Sequence, residues 1–359
     1  MEEFNKKYML RALELAQKAD ARVQPNPYVG AVVVKNNEIA GEGYHKEFGK
    51  KHAEPKAIDN VKGSCKGADL YVNLEPCSHM GKTPPCVDKI ISEGISRVFI
   101  GISDPHENVK GDGIVKLKKA GVEVYINILK KRAIEVNRKF LTYVEKKRPY
   151  ILLKYAMTLD GYIATVEGDS KWISSRECRE MVHESRHNNQ GILVGSSTVI
   201  ADDPRLTARL YKEGFQPKPF ILDMVGEISS FDYNIFDREA VLITPNDLYD
   251  KRGIVKIYKF DKKNDEILEF LEKVFHREKI HSLLVEGGSK TLSLFVKNKY
   301  YDEINVYISP KFIGEGIPPL NFSGINKIKD SIKLKKIEHI SFGNDIMLKG
   351  YRENVYWID

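Results

Sequence analysis

Apolar side chains at Met9, Ala12, Leu13 and Ala16 recur at helical spacing and predict a helix over residues 3–19. Asn26-Pro27 breaks that pattern, and the apolar run over 29–34 predicts a buried strand. Asn36-Asn37 predicts a hairpin returning through 38–44. Beyond it the chain alternates: helix 52–60, strand 69–74, helix 86–93, strand 97–101, helix 113–120 and strand 122–126. A charged segment, Glu145-Lys-Lys-Arg-Pro149, interrupts the alternation, and a new strand starts over 150–156. Further strands are predicted at 191–194, 220–223, 241–244, 282–285 and 303–308, with helices at 175–187, 265–275 and 291–297. Ser174 with Glu177 forms a capping box for the first of these helices. Strands alternating with helices on both sides of the interruption predict two layered α/β domains, residues 1–147 and 148–359. No internal repeat or low-complexity stretch is visible.

A length of 359 residues suits two domains, and a hydrophobic fraction of 42% is ordinary for a globular chain. No apolar run approaches the roughly 20 residues that span a bilayer. The acidic start Met-Glu-Glu-Phe runs into an amphipathic helix, not a leader, so the expectation is a cytoplasmic protein without membrane attachment. The formal charge of +7 is spread along the chain with no basic stripe interleaved with aromatics, which argues against a nucleic-acid partner. Four cysteines do not make a disulfide framework.

Two of those cysteines carry the most informative pattern. His52-Ala53-Glu54 is followed by Pro76-Cys77 and then Cys86. One imidazole and two thiolates are three metal ligands, which leave the fourth tetrahedral position of a zinc ion open, as in a catalytic site. Zinc brings the pKa of a bound water to roughly 7. Glu54 is then the carboxylate that takes a proton from water and passes it to a leaving amine. This order, HxE and then a Pro-Cys, is that of zinc nucleobase deaminases. Eight residues separate the cysteines, so they cannot share a helical turn, and a Gly-Lys-Thr-Pro-Pro loop must return the chain to the metal. Competing readings are a structural zinc site with His79 as fourth ligand, a Cys77–Cys86 disulfide, and a zinc module with no catalysis. Cys65 and Cys178 read as ordinary thiols.

The chain resembles the bifunctional deaminase–reductases of riboflavin biosynthesis over nearly its whole length. The resemblance rests on Pro25-Asn-Pro-Tyr-Val-Gly-Ala31, His52-Ala-Glu54 and the twelve-residue string from Glu75 to Cys86 in the first half. In the second half it rests on Lys154-Tyr-Ala-Met-Thr-Leu-Asp-Gly161, Ser170-Lys-Trp172, Val194-Gly-Ser-Ser-Thr198, the Asp202–Arg209 segment and Val285-Glu-Gly-Gly288. It implies a three-layer cytidine-deaminase-like domain followed by a dihydrofolate-reductase-like α/β domain. It also implies hydrolytic deamination of a phosphorylated diaminopyrimidinone at zinc, then reduction of its ribosyl group by NADPH, in a homo-oligomer. His52, Cys77 and Cys86 hold zinc on this reading, Glu54 moves protons, and Asn26, His45 and Lys82 bind the substrate.

No GxGxxG follows a strand in the second half, so the NADPH phosphate cradle is placed at Glu286-Gly287-Gly288-Ser289, between a strand and a helix. The resemblance implies that Ala156, Trp172, Thr198 and Asp202 complete the cofactor contacts, with the Gly195–Thr198 segment as a strand-end turn. The resemblance implies substrate contacts at Ser170, Arg186, Leu206, Arg209 and Glu286, and the planar fork of the two arginines matches phosphate. Asp202 and Lys154 are the catalytic candidates. Bland alternatives are a core tryptophan at 172 and an exposed helix charge at 186. Two departures from the family pattern stand out: Pro55 directly after Glu54, and Asp112 where a basic residue is expected. The remaining functional alternatives are a deaminase of nucleic acids or free nucleosides, and an active deaminase fused to a non-catalytic reductase-like domain.

Overall fold

A computed structural model describes residues 6–106, 111–211, 214–263, 266–353 and 355. Predicted helical positions 3–5 and 265, and the 107–110 part of the Asp104–Gly113 loop, lie outside the described residues. The chain divides into two compact units, Met1–Lys147 and Arg148–Asp359.

The first unit runs α1 (Lys6–Ala16), β1 (Gly30–Lys35), β2 (Glu38–Tyr44), α2 (Ala53–Asp59), β3 (Asp69–Leu74), α3 (Cys86–Ser92), β4 (Arg97–Ile102), α4 (Asp112–Lys119), β5 (Glu123–Tyr125) and α5 (Lys130–Lys146). Its sheet has the order β2-β1-β3-β4-β5. β1 is antiparallel to both neighbours, whereas β3, β4 and β5 are parallel. Asn36 and Asn37 take φ of 53° and 62°, the left-handed pair that a tight β1–β2 hairpin requires. Helix α1 lies so close to β1 that a Cβ on Gly30 would stand 2.0 Å from the Ala12 carbonyl oxygen. Backbone cannot yield that distance cheaply, so Gly30→Ala is expected to destabilise this unit by about 3 kcal/mol. A denaturation curve within about 1 kcal/mol of the parent would contradict this close packing.

The second unit runs β6 (Tyr150–Thr158), β7 (Ala164–Thr165), α6 (Arg176–His187), β8 (Gly191–Gly195), α7 (Ser196–Asp202), β9 (Lys218–Leu222), β10 (Ala240–Thr244), β11 (Val255–Lys259), α8 (Ile267–Arg277), β12 (Ser282–Val285), α9 (Ser289–Lys297), β13 (Glu303–Ser309), β14 (Gly316–Ile317), β15 (Leu334–Phe342) and β16 (Asp345–Arg352). Nine strands form one sheet, β11-β10-β9-β8-β12-β6-β13-β16-β15, with β14 and β7 paired separately. The seven strands from β11 to β13 are parallel, and β16 and β15 add antiparallel at one edge. Parallel strands are covered on both faces, which explains their unbroken apolar runs. Ile151, Leu193, Leu283 and Val285 pack on one face, and Leu152, Ile192, Val194 and Leu284 on the other.

Several expectations need correction. The N-cap of α6 is Ser175, whose hydroxyl accepts from the Cys178 amide, and not Ser174. The Ser175 amide donates instead to the Asp345 carboxylate at 2.5 Å, in the place a capping-box Glu177 would take. Residues 196–198 are not a turn but the first turn of α7. Pro55 is the third residue of α2, where the missing N–H has no helical partner to lose, and the helix is intact. Asp112 opens α4, where a carboxylate is favoured by the helix dipole.

Candidate functional sites at the strand ends

Parallel strands direct their following loops to one side of a sheet, where ligands gather. In the first unit β3 delivers Glu75-Pro76-Cys77, and Cys86 begins α3. His52 is the N-cap residue of α2, with no side-chain capping bond of its own. Its Nδ1 lies 3.3 Å from Cys86 Sγ and 3.6 Å from Cys77 Sγ. All three ligand atoms lie within 4.8 Å of one another. These separations are the edges of a tetrahedron with metal–ligand bonds of roughly 2.0–2.3 Å, so the residues present fit zinc. His79 stands exposed on the cavity rim and is not in this cluster, which removes the reading of a closed structural site. All four cysteines are free thiols, so the disulfide reading also falls.

Charge in the cluster follows from burial and contact. Hydrogen bonding from Cys86 pulls the Cys77 thiol down to about 4, while the same contact and burial push Cys86 up. The pair thus holds one proton, which a cation would displace. Burial pushes the Glu54 carboxyl up to about 7. The His52 Nε2 lies 3.4 Å from the Thr83 hydroxyl, an orienting contact on the far side of the ring.

Asn26, His45, His52, Glu54, Cys77 and Lys82 line one cavity of about 270 Å³. His45 is buried, and desolvation lowers its imidazole to about 4. It is therefore neutral, with Nδ1–H donating to the Lys51 carbonyl (3.2 Å) and Nε2 accepting from the Asn26 amide (3.0 Å). Asn137 and Asn73 both donate to the Tyr28 carbonyl and fix the strand entry next to Asn26. Lys82 Nζ lies over the Phe48 ring, 4.0 Å from its centroid, and both residues line the cavity. His79, raised only as a structural zinc ligand, lines the cavity too, and Glu75, Thr83, Asp104 and His106 also line it but escaped the sequence reading as individual residues. Glu75 and Thr83 lie inside the Glu75–Cys86 string, which was the available signal.

In the second unit the ends of β6, β8 and β12, adjacent in the sheet, surround a larger cavity of about 790 Å³. Lys154, Ala156, Ser170, Trp172, Arg186, Thr198, Asp202, Leu206, Arg209, Glu286, Gly287, Gly288 and Ser289 all line it. Trp172 is 61% exposed, with the Arg179 guanidinium 4.5 Å from its ring centroid, so it is a wall of the cavity and not a core residue. Arg186 is not an exposed helix charge either. Its Nε and Nη2 bind both Glu286 oxygens at 2.8 and 2.9 Å, and Nη1 donates to the Thr207 carbonyl. The fork expected for phosphate is thus spent on Glu286. Burial works against the Glu286 charge, but Arg186 outweighs it and holds the carboxyl below its ordinary value.

Burial lowers the Lys154 ammonium, and Asp202 pairs with Lys171 at 3.1 Å. Leu206 takes a left-handed φ of 48°, which presents the loop between Arg205 and Arg209 to the cavity. At the head of α9, Gly288 offers no capping side chain and Ser289 Oγ is buried with no partner among the described residues. A Cβ on Gly195 would meet Thr291 Oγ1 at 2.8 Å, so the α7 and α9 entries abut. Free helix-entry amides beside an orphan hydroxyl fit the phosphates of a dinucleotide. Lys171, Arg179, His183, Arg205 and Lys290 are further cavity residues that the sequence reading passed over.

The fold and sites define a zinc-deaminase unit followed by a nucleotide-dependent reductase unit. Residues 2–102 match the cytidine and deoxycytidylate deaminase zinc-binding region, and residues 149–348 match the RibD C-terminal domain. The riboflavin biosynthesis protein RibD of Aquifex aeolicus is 43% identical over 355 residues, covering 96% of this chain and 98% of that protein. That of Escherichia coli is 35% identical, covering 95% and 97%. A crystal structure of a diaminohydroxyphosphoribosylaminopyrimidine deaminase/5-amino-6-(5-phosphoribosylamino)uracil reductase from Thermotoga maritima superposes with a TM-score of 0.89 at 39% identity, covering 97% of this chain and 98% of that one. Acinetobacter baumannii RibD gives 0.89 at 30% identity, covering 97% and 99%. The chain belongs to the RibD family. It is a bifunctional deaminase and reductase with zinc and NADPH as cofactors, acting on small pyrimidines. Among the described residues no helix is long and apolar enough to cross a membrane.

Proposed function

We propose that the first unit deaminates 2,5-diamino-6-(5-phosphoribosylamino)pyrimidin-4-one. The second unit then reduces the ribosyl group of the resulting 5-amino-6-(5-phosphoribosylamino)uracil to a ribityl chain. The observation that carries this reading is the gathering of the candidate residues around two cavities, one in each unit, with the zinc ligands and Glu54 at the first.

His52, Cys77 and Cys86 hold zinc, which when bound makes a water nucleophilic at neutral pH. Glu54 receives a proton from that water and returns it to the departing amine. Its burial suits the task, because desolvation disfavours the carboxylate and so favours uptake of a proton from water. Neutral His45 holds the Asn26 amide, which leaves the Asn26 carbonyl to accept from the pyrimidine ring. Lys82 meets an anionic or carbonyl group at the rim.

In the second unit the Gly287-Gly288-Ser289 entry and Thr198, with Trp172 and Ala156, would hold NADPH, which when bound would supply hydride. Lys154 donates the proton that the opening sugar takes up, a transfer eased by its lowered ammonium. Asp202 orients the sugar, Arg186 fixes Glu286 toward its hydroxyls, and Arg209 meets the phosphate, with Ser170 and Leu206 closing the site. The working protein is a cytoplasmic homo-oligomer that takes free substrate and no nucleic acid. Free cysteines support the compartment, and the exposed Ile337 and Ile340 on the outer strand β15 support association.

Ammonia release from zinc-loaded protein, followed with and without NADPH, tests the order of steps. Ammonia is expected without NADPH, with NADPH oxidation only after it. Ammonia with no NADPH oxidation would reduce the second unit to a binding domain, and no ammonia would end the substrate assignment. Cys77→Ala is expected to lose the bound zinc and ammonia release together. It should still oxidise NADPH on the deaminated substrate, and full zinc retention by mass spectrometry would contradict the ligand set.

A further inference from the structure

Glu75 is a buried carboxylate with no cationic partner among the described residues. It is 3% exposed and follows β3, two residues before Cys77. A charge in such a place is costly unless donors replace water. Four backbone amides do so. Oε2 accepts from Asp104 (3.2 Å) and Gly111 (3.3 Å), and Oε1 from Gly113 (3.1 Å) and Ile114 (3.3 Å). Three of these belong to the entry of α4, whose N-cap is Gly111 and has no side chain to close it. Glu75 therefore caps α4 from another element. The contact is close throughout, since a Cβ on Gly113 would stand 2.2 Å from the Pro76 carbonyl oxygen.

This cap has a consequence for the cavity. The fourth amide is that of Asp104, and Asp104 and His106 line the same cavity as Glu54 and the metal cluster. Asp104 in turn accepts from the His106 amide at 2.8 Å, so the two move as one turn. One carboxylate thus ties this turn and the α4 entry to the segment that carries Cys77. We infer that Glu75 is a positioning residue of the deaminase site, one that fixes the Asp104–His106 wall against the substrate without touching the metal. A neutral amide at this position retains one acceptor oxygen and turns two N–H groups toward backbone donors, so only a carboxylate serves all four.

The inference rests on the deaminase reading proposed above, and parent protein that releases no ammonia would defeat that reading whatever Glu75 does. The test uses the full chain. Glu75→Ala is expected to raise KM for the diaminopyrimidinone about tenfold with kcat within about threefold, the signature of lost binding and intact chemistry. Glu75→Gln should fall between it and the parent. Zinc content and NADPH oxidation on the deaminated substrate should match the parent. Zinc loss in proportion to activity, a fall in kcat at constant KM, or no change at all would each overturn the inference. A second measurement needs no variant. Saturating the parent with 5-amino-6-(5-phosphoribosylamino)uracil, without NADPH, is expected to slow amide exchange at Asp104, Gly111 and Gly113. Unchanged exchange there would show that the wall does not meet the ligand and overturn the inference equally.

Discussion

Replacing Glu54 by glutamine is expected to cut ammonia release about a thousandfold, within the 10²–10⁴ range of a positioned general acid–base. That loss corresponds to about 4 kcal/mol of transition-state stabilisation. Glutamine preserves the shape of a side chain that is only 3% exposed, so packing should not change. The amide cannot carry a proton from water to amine. Zinc content should remain at the parent value, since Glu54 is not among the three clustered ligands. NADPH oxidation on the already deaminated substrate should also be untouched, because Lys154, Asp202 and Glu286 line the other cavity. A variant retaining more than about a tenth of parental ammonia release would remove Glu54 from the proton path.

The second large effect concerns Arg186 and Glu286, whose side chains are only 13% and 12% exposed. Glu286→Ala leaves a desolvated guanidinium with nothing opposite it. Breaking a buried pair in this way costs about 3–5 kcal/mol, and partial exposure places this one near 3. Reduction should be lost as well, since Glu286 faces the cavity between Lys154 and the α9 entry. Stability and activity can be separated. The double variant Arg186→Met/Glu286→Met should regain most of the stability, because an apolar pair of similar volume replaces the ion pair, while reduction stays absent. If the double variant also regained reduction, the pair would be structural only. The same pair predicts an acid limit. Glu286 is held below its ordinary value when folded, so its stabilisation is present above the unfolded carboxyl pKa of about 4.3 and is lost as pH falls through the lowered folded value.

The parts of this fold that read clearly from sequence are those with strong periodicity or special backbone chemistry. Asn36-Asn37 announced its hairpin because few residues tolerate two left-handed positions in a row. The interior parallel strands announced themselves by apolar runs buried on both faces, whereas the parallel edge strand β11, with lysines between its apolar positions, was not predicted. Helix α5 was missed although it has 17 residues, because its N-cap is a left-handed Leu129 with no capping side chain and its buried face is sparse. β15 and β16 were missed for another reason. β15 is an edge strand, largely exposed, and Lys335, Lys336 and Glu338 obscure any alternation. At the sites, residue types at fixed spacing were enough to nominate the zinc ligands and Glu54. The Arg186–Glu286 pairing was not legible, because it joins positions a hundred residues apart and each looked ready for a ligand alone. Glu75 was visible only as a letter in a string, since its partners are backbone amides that any sequence would supply.

The place of β6 in its sheet bears on how the chain is made. β6 is the first strand of the second unit to be synthesised, yet its two neighbours are β12 and β13. Tyr150 pairs with Ser282, and Leu152 with Glu303. The longest-range pairing in the first sheet is far shorter, joining Ala31 to Val72. Loop closure over such a span must precede any reward from pairing, which makes the second unit the slower to form. At 5–20 residues per second, β6 waits on the order of ten seconds or more for its partners. During that interval the first sheet is already complete on the nascent chain. The apolar β6 segment, with both edges open, is then where a chaperone or an aggregation partner meets this protein first.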